Sequence, residues 1–252
     1  VTQGIKSNRH FKDSGVKWLP QIPAEWEAIS AKALFLNRHD LRRESDEMMA
    51  ATQKYGIITQ KKYMELVGRR IVLASDSLDK WLHVEPDDFI ISLRSFQGGL
   101  ERCTESGCVT WHYVVLRPRY NVIPEFYRWF FKSPSYVSAL QHTSDFIRDG
   151  QDLRYSNFVK VRLFRIPVQE QVAIASYLDH IMPIYYKAIA AKETEIDMLH
   201  ELRARLISDV VTGQIDVRNI DIPEYEEFED DISIDELTDN ADETEMEDCD
   251  NA

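Results

Sequence analysis

Apolar residues along this chain follow two regimes. Up to residue 165 they come in short runs broken by polar and turn-forming positions, whereas from Gln169 to Val211 they recur at helical spacing with no glycine before Gly213. The short runs predict a helix or strand over Ala31–Leu36, apolar alternation around Gly68 to Leu73 and a strand over Phe89–Leu93. A turn at Gly98-Gly99 and a strand over Val109–Leu116 follow. Pro124, then Phe126, Phe130, Tyr136, Val137 and Leu140 near helical spacing, predicts an aromatic helix over Ile123–Leu140. Pro134 kinks or interrupts it, because proline lacks a backbone donor and clashes with the preceding turn. Together these predict a mixed α/β (α+β) domain over residues 27–165.

The second regime predicts one long helix, with Ile174, Leu178, Ile181, Ile189, Ile196, Leu199, Leu206 and Val210 on it and Pro183 kinking or dividing it. Ile196, Leu199, Leu206 and Val210 fit a heptad seam, with Arg203 where another apolar residue would complete it. With Ile189 they form a stripe that calls for a partner helix. Residues 1–26 form a leading arm, Gly- and Pro-punctuated and carrying Trp18 and Trp26, which reads as extended and packed by its aromatics.

Composition sharpens this picture at the C-terminal end. The 252 residues carry a net charge of −13, but Asn219 to Ala252 holds 16 acidic residues and no Lys or Arg, which leaves +3 on the 218 residues before it. The folded part is therefore mildly basic. The tail over 218–252 has too little apolar material to offset its ordering entropy and is expected to be disordered. Three cysteines, Cys103, Cys108 and Cys249, and no signal-peptide pattern point to a reducing cytoplasm. The longest apolar runs, such as Phe89 to Leu93, are far shorter than the roughly 20 residues of a membrane span.

Enzyme signatures are absent from the sequence: no phosphate loop, dinucleotide fingerprint, nucleophile elbow or helical pair of histidines. An adenine methyltransferase would need a cofactor-binding glycine motif and an Asn/Asp-Pro-Pro-aromatic loop, and neither occurs. Glu85-Pro86-Asp87-Asp88 reads as a solvated turn before a strand, since no acidic-x-Lys strand follows. Cys103, Cys108 and His112 give three ligand types where a structural zinc site needs four, so a hairpin with reduced thiols is expected. What accumulates around predicted turns is a set of Arg, Lys, Gln and aromatic residues: Lys61-Lys62-Tyr63, Arg69-Arg70, Arg94-Ser95-Phe96-Gln97, Arg148, Gln151 and Arg154-Tyr155. Arg reads guanine, Gln reads adenine and Lys anchors phosphate, so these are candidate DNA contacts.

Lys12-Asp13-Ser14-Gly15-Val16-Lys17-Trp18-Leu19 with Ile22-Pro23-x-x-Trp26 resembles the opening segment of type I restriction-modification specificity subunits. The run Ile166-Pro167-Val168-Gln169-Glu170-Gln171-Val172-Ala173-Ile174-Ala175-x-Tyr177-Leu178-Asp179 is similar to the start of that family's spacer helix. Leu202-x-x-x-Leu206-Ile207-Ser208-x-x-Val211-Thr212-Gly213 is similar to its end. Ile91 to Leu100 and Gln151 to Tyr155 also resemble segments of its recognition domain. Pro183-Ile184-Tyr185-Tyr186, Thr110-Trp111-His112 and the acidic tail depart from the pattern.

The resemblance implies a target-recognition domain over 27–165 that contacts double-stranded DNA, adding Arg102 and Trp111 to the candidates. It implies a spacer helix over 166–217 that pairs as an antiparallel coiled coil and sets the gap in a split target. It further implies that methyl transfer and cleavage belong to partner methyltransferase and restriction/translocase subunits. Those partners would use S-adenosylmethionine, ATP and Mg, with no cofactor on this chain and no membrane contact. Val1-Thr2-Gln3-Gly4-Ile5 echoes Val211-Thr212-Gly213-Gln214-Ile215, as expected of the second half of a longer subunit, or of a half-subunit that pairs with a second copy or another half. The alternative reading is a truncated or decoy specificity unit, or a DNA mimic acting through the acidic tail, that interferes with restriction.

Overall fold

The computed structural model describes residues 9–53, 55–68, 77–92, 95–143, 154–218 and 220. The leading arm is a hairpin of β1 (Phe11–Asp13) and β2 (Gln21–Pro23). Its turn is knit by Ser14, whose hydroxyl accepts from Val16 N–H at 2.9 Å, and by Asp13, which accepts from Gly15 N–H at 2.9 Å. The chain continues through β3 (Glu27–Ser30), a 3-10 turn at Ala31–Ala33 and β4 (Phe35–Arg38). Next come β5 (Met49–Thr52), β6 (Gly56–Thr59), α1 (Gln60–Val67), β7 (Leu82–Val84), β8 (Phe89–Ile91) and the single helical turn α2 (Ser95–Gly98). Then β9 (Glu101–Arg102), β10 (Gly107–Val109) and β11 (Val114–Pro118) lead to α3 (Pro124–Phe130), α4 (Pro134–Gln141), α5 (Tyr155–Lys160) and β12 (Arg162–Arg165). Last is α6 (Val168–Val211). A mixed α/β domain followed by a long helix is the expected class.

The central sheet is antiparallel in the order β4-β11-β8-β9. Successive residues point to opposite faces, and the two faces are buried in different cores. Phe89 and Ile91 of β8 and Leu116 of β11 join the larger core, which is rich in aromatics from α3, α4 and α5. Ile90 and Val115 join a smaller core with Met49, Ile57, Val84, Cys103 and Val109. Phe35 packs against Phe89, Tyr127, Phe131 and Phe158 with ring centroids 5.1 to 5.9 Å apart. Trp26 is fully buried and Trp18 meets Phe130 and Tyr136 edge-on, so aromatics do pack the arm against the domain.

Several sequence expectations need correction. The run Val109–Leu116 is two strands: Tyr113 N–H donates to Thr110 O at 3.1 Å, closing a turn between them. β10 pairs with β7, while β11 runs between β4 and β8, and an apolar run cannot reveal such a change of partner. Ala31–Leu36 is a 3-10 turn leading into a strand. Gly98-Gly99 ends a helical turn, and Gly99 has φ +84° and approaches Phe131 so closely that a Cβ would lie 2.2 Å from its carbonyl oxygen. Pro134 does interrupt the aromatic helix, opening α4 as its first residue. Cys103 and Cys108 are free and buried, but β9 pairs with β8 rather than β10, so they do not share a hairpin. The alternation around Gly68 to Leu73 lies largely outside the described residues, as do the echo at Val1 to Ile5 and nearly all of the acidic tail.

Two compact units divide at Pro183. In the first, α6 opens with Glu170 and Gln171 N–H donating to Pro167 O, and it buries Gln171, Ile174 and Ala175, with Leu178 packed beside them. The helical backbone is not divided at Pro183. In the second unit every large apolar residue from Ile184 to Ile207 is at least half exposed. The helix closes at Gly213 (φ +73°), with Gly213 N–H on Val210 O and Ile215 N–H on Asp209 O.

Candidate nucleic-acid interface

Where β4 ends and β11 begins, the central sheet opens into a cleft of about 360 Å³. Asn37 and His39 come from β4 and its extension, Leu82 from β7, and Trp111, His112, Tyr113 and Val114 from the turn into β11. Arg154 arrives from the residue preceding α5. The Trp111 indole stacks on the His112 ring with centroids 3.6 Å apart and still exposes 48% of its surface. Among the described residues no hydrogen bond is made by the Asn37 carboxamide or the His39 ring. Amide, imidazole, guanidinium and indole groups gathered in one open cleft suit hydrogen bonding and stacking with nucleic acid.

An ionic cluster centred on buried Arg38 and Asp88 joins the strand ends that frame this cleft. Arg38 donates to Asp40 and Glu85 at 2.8 Å each, and its Nε lies 2.9 Å from Asp88. His83 Nδ1 lies 2.8 Å from the Asp46 carboxylate. Burial pushes the Asp88 carboxyl above the usual range despite a bond from the Glu85 N–H and the Arg38 charge. The Arg38 hydrogen bond holds Glu85 below it, against partial burial. Glu85-Pro86-Asp87-Asp88 is therefore not a merely solvated turn: Asp88 is buried as the charge partner of Arg38. Burial also pushes the Cys108 thiol up to about 11, so it is protonated and inert at neutral pH.

The other sequence candidates fall in separate places. Lys61, Lys62 and Tyr63 lie on α1, which buries none of its residues; both lysines are exposed, and Tyr63 meets Tyr55 edge-on at 6.4 Å. Thr59 caps this helix by accepting from Lys62 N–H. Two candidates are engaged by partners within the domain. Ser95 is buried, its hydroxyl accepting from Ser92 N–H at 2.8 Å, and Arg102 pairs with Asp87 and with Glu125 at 2.8 Å. Tyr155 is half-buried, stacked on Phe158, with its hydroxyl 3.4 Å from Phe35 O. Arg94, Arg148, Gln151 and the side chain of Gln97 lie outside the described residues.

Of the candidates, the cleft gathers Trp111 and Arg154, and it adds Asn37, His39, His112 and Tyr113, none of which sequence reasoning named as a DNA contact. The polar run Asn37-Arg38-His39-Asp40 directly after Phe35-Leu36 was the available signal for a strand end. On α6, Ile189, Ile196, Leu199 and Leu206 are exposed and Val210 is half-buried. Leu202, also exposed, widens the stripe. Among the described residues no group of three or more His, Cys, Asp or Glu is placed to hold a metal, and no helix is long and apolar enough to cross a membrane.

No family model and no curated protein matches this sequence. Among solved structures, the HsdS subunit from Thermoanaerobacter tengcongensis aligns with a TM-score of 0.46 and 16% identity, over 81% of this chain and 48% of that one. A chain from a structure described as the basis of complex assembly and conformational transition of the type I R-M system aligns with a TM-score of 0.52 and 15% identity. It covers 79% of this chain, which in turn spans 48% of that chain, about half its length. In fold, this chain is similar to a component of a type I R-M system.

Proposed function

We propose that this chain recognises a DNA sequence on behalf of a type I restriction-modification assembly and catalyses no step itself. The observation that carries the reading is the coincidence of sequence motif with structural boundary. Ile166-Pro167, which resembles the family's spacer-helix start, directly precedes α6, and Val211-Thr212-Gly213, which resembles its end, spans the αL stop of the same helix. The similar fold of a type I R-M chain supports it.

On this reading the domain over 27–165 contacts one part of a split target through the cleft and through the lysines of α1. Indole, amide and guanidinium groups approach base edges, and lysines approach phosphates. The exposed seam of α6 pairs with an antiparallel helix from another half-subunit or a second copy, burying apolar surface now in water. Methyl transfer and cleavage fall to methyltransferase and restriction/translocase partners that use S-adenosylmethionine, ATP and Mg.

The test combines the full chain with its cognate methyltransferase subunit and maps methyl incorporation by sequencing. Methylation confined to one short split motif is expected. Incorporation independent of sequence, or activity lost when the chain is added to an intact system, overturns the reading, and the second result favours a decoy.

A further inference from the structure

Three polar side chains in the opening turns of α6 spend their hydrogen bonds on the globular domain rather than along the helix. Gln171, 2% exposed, accepts from Ile123 N–H at 2.9 Å and donates to Asn121 O at 3.0 Å and Ile166 O at 2.8 Å. Glu170 accepts from both Nη atoms of Arg9, at 2.7 Å from Nη2, and from the buried Trp26 indole at 3.0 Å. Asp179 accepts from the Trp129 indole at 2.7 Å and pairs with Arg128, whose guanidinium lies over that indole. Apart from Ile166, just before the helix, the partners come from the leading arm, the loop before α3, and α3 itself.

The placement of the three residues makes them a joint. At 3.6 residues per turn, Glu170 and Asp179 lie about half a turn apart around the helix and about 13.5 Å apart along it, with Gln171 between them in azimuth. Bonds on opposite flanks oppose rolling, their separation opposes tilting, and the bonds of Gln171 to Ile123 and Asn121 oppose sliding. The apolar contacts of Ile174, Ala175 and Leu178 supply adhesion without direction.

We propose that Glu170, Gln171 and Asp179 are positioning residues that fix the roll and tilt of the helix start against the recognition domain. They thereby set the spacing tolerated between the two parts of the target. This inference rests on the DNA-recognition reading above. One inserted base pair displaces the distal part by about 3.4 Å and rotates it by about 34°. A stiff joint refuses that change, and a loose joint follows it.

The full chain, assembled with the methyltransferase subunit, is offered DNA carrying the wild-type motif with its gap native, or one base pair shorter or longer. Wild type is expected to prefer the native gap by about tenfold or more, and Gln171→Met to narrow that preference to within about threefold while the bases read in each part stay the same. Asp179→Leu, with half-exposed partners, is expected to act in the same direction without endangering the fold. Glu170→Gln keeps an acceptor for Arg9 and Trp26 and is expected to retain wild-type spacing. A wild type without sequence-specific methylation sinks the DNA reading itself. A specific wild type whose folded Gln171→Met and Asp179→Leu variants discriminate the gap equally well, or a specific wild type indifferent to the gap, overturns the joint alone.

Discussion

The globular domain and the distal part of α6 use similar residues to opposite ends. Before Pro183 a cluster of large aromatics turns inward, and Phe35, Phe89, Tyr127, Phe130 and Phe131 are all within 1% of complete burial. Beyond it Ile196, Leu199 and Leu206 leave 51 to 59% of their surface exposed. A domain that buries its own apolar surface is stabilised from within. A helix that exposes such a stripe gains most of its stability from whatever covers it. The first region supports itself, and the second leaves its apolar stripe uncovered.

The largest expected effect lies on the domain side of that contrast. Phe35→Ala removes a ring packed by four others and is expected to cost about 3–5 kcal/mol in denaturant unfolding, because the cavity adds to the lost transfer energy. A loss under about 1 kcal/mol would mean that the aromatic cluster relaxes around the gap. On the helix side, Ile196→Asp with Leu199→Asp is expected to leave the stability of the globular domain within about 0.5 kcal/mol of wild type. The same pair is expected to weaken association by tenfold or more, since about 1.4 kcal/mol suffices for that factor. Sedimentation across a concentration series reads it. Unchanged association would remove the seam from the interface.

Next in size is the cleft. Trp111→Ala is expected to weaken DNA binding by about 1–3 kcal/mol, the range of a good base contact or a stacked base. Lys61→Ala is expected to act uniformly across sequences and to reduce the salt slope of binding by about one. If Trp111→Ala changes only the salt slope and Lys61→Ala changes only the preferred sequence, the two surfaces have exchanged roles.

The same contrast explains what could be read from the chain. The limits of α6 were legible because Pro167 and Gly213 bracket a helical period and the local chain settles the outcome. So was the break at Pro134. The strands were harder. Phe89-Ile90-Ile91 is buried on both faces and shows no alternation, and the strand partners of β10 and β11 come from distant parts of the chain. Asn37 and His39 escaped notice because only the pairing of β4 with β11, nearly 80 residues on, brings them beside Trp111. The polar clamp of α6 was visible only as part of a family-like motif. Gln171 sits three and four residues before Ile174 and Ala175, on the stripe that becomes buried, and a polar residue there marks a helix docked by hydrogen bonds.

The smallest expected effect concerns the start of α6 within the first unit, where Glu170 meets Arg9. Burial raises the Glu170 carboxyl, but hydrogen bonds from Arg9 and Trp26 and the Arg9 charge outweigh it and hold the group below the usual glutamate range. A carboxylate with a lowered folded value contributes stability that is present above its unfolded value and is lost as pH falls through the folded one. Asp88 and Glu101 behave oppositely. Burial raises both, so their contributions favour low pH and fade as pH rises. Comparing wild type with Glu170→Gln cancels those two groups, which are present in both proteins. The stability difference is expected to be at most about 1 kcal/mol, given that Arg9 also has the exposed Glu25 as a partner. It should be fullest above about pH 5 and shrink steadily on acidification, as thermal unfolding across a pH series will report. A difference that stays constant with pH would mean that Glu170 holds the helix as a neutral hydrogen-bond acceptor, with the charge of Arg9 adding nothing to the joint.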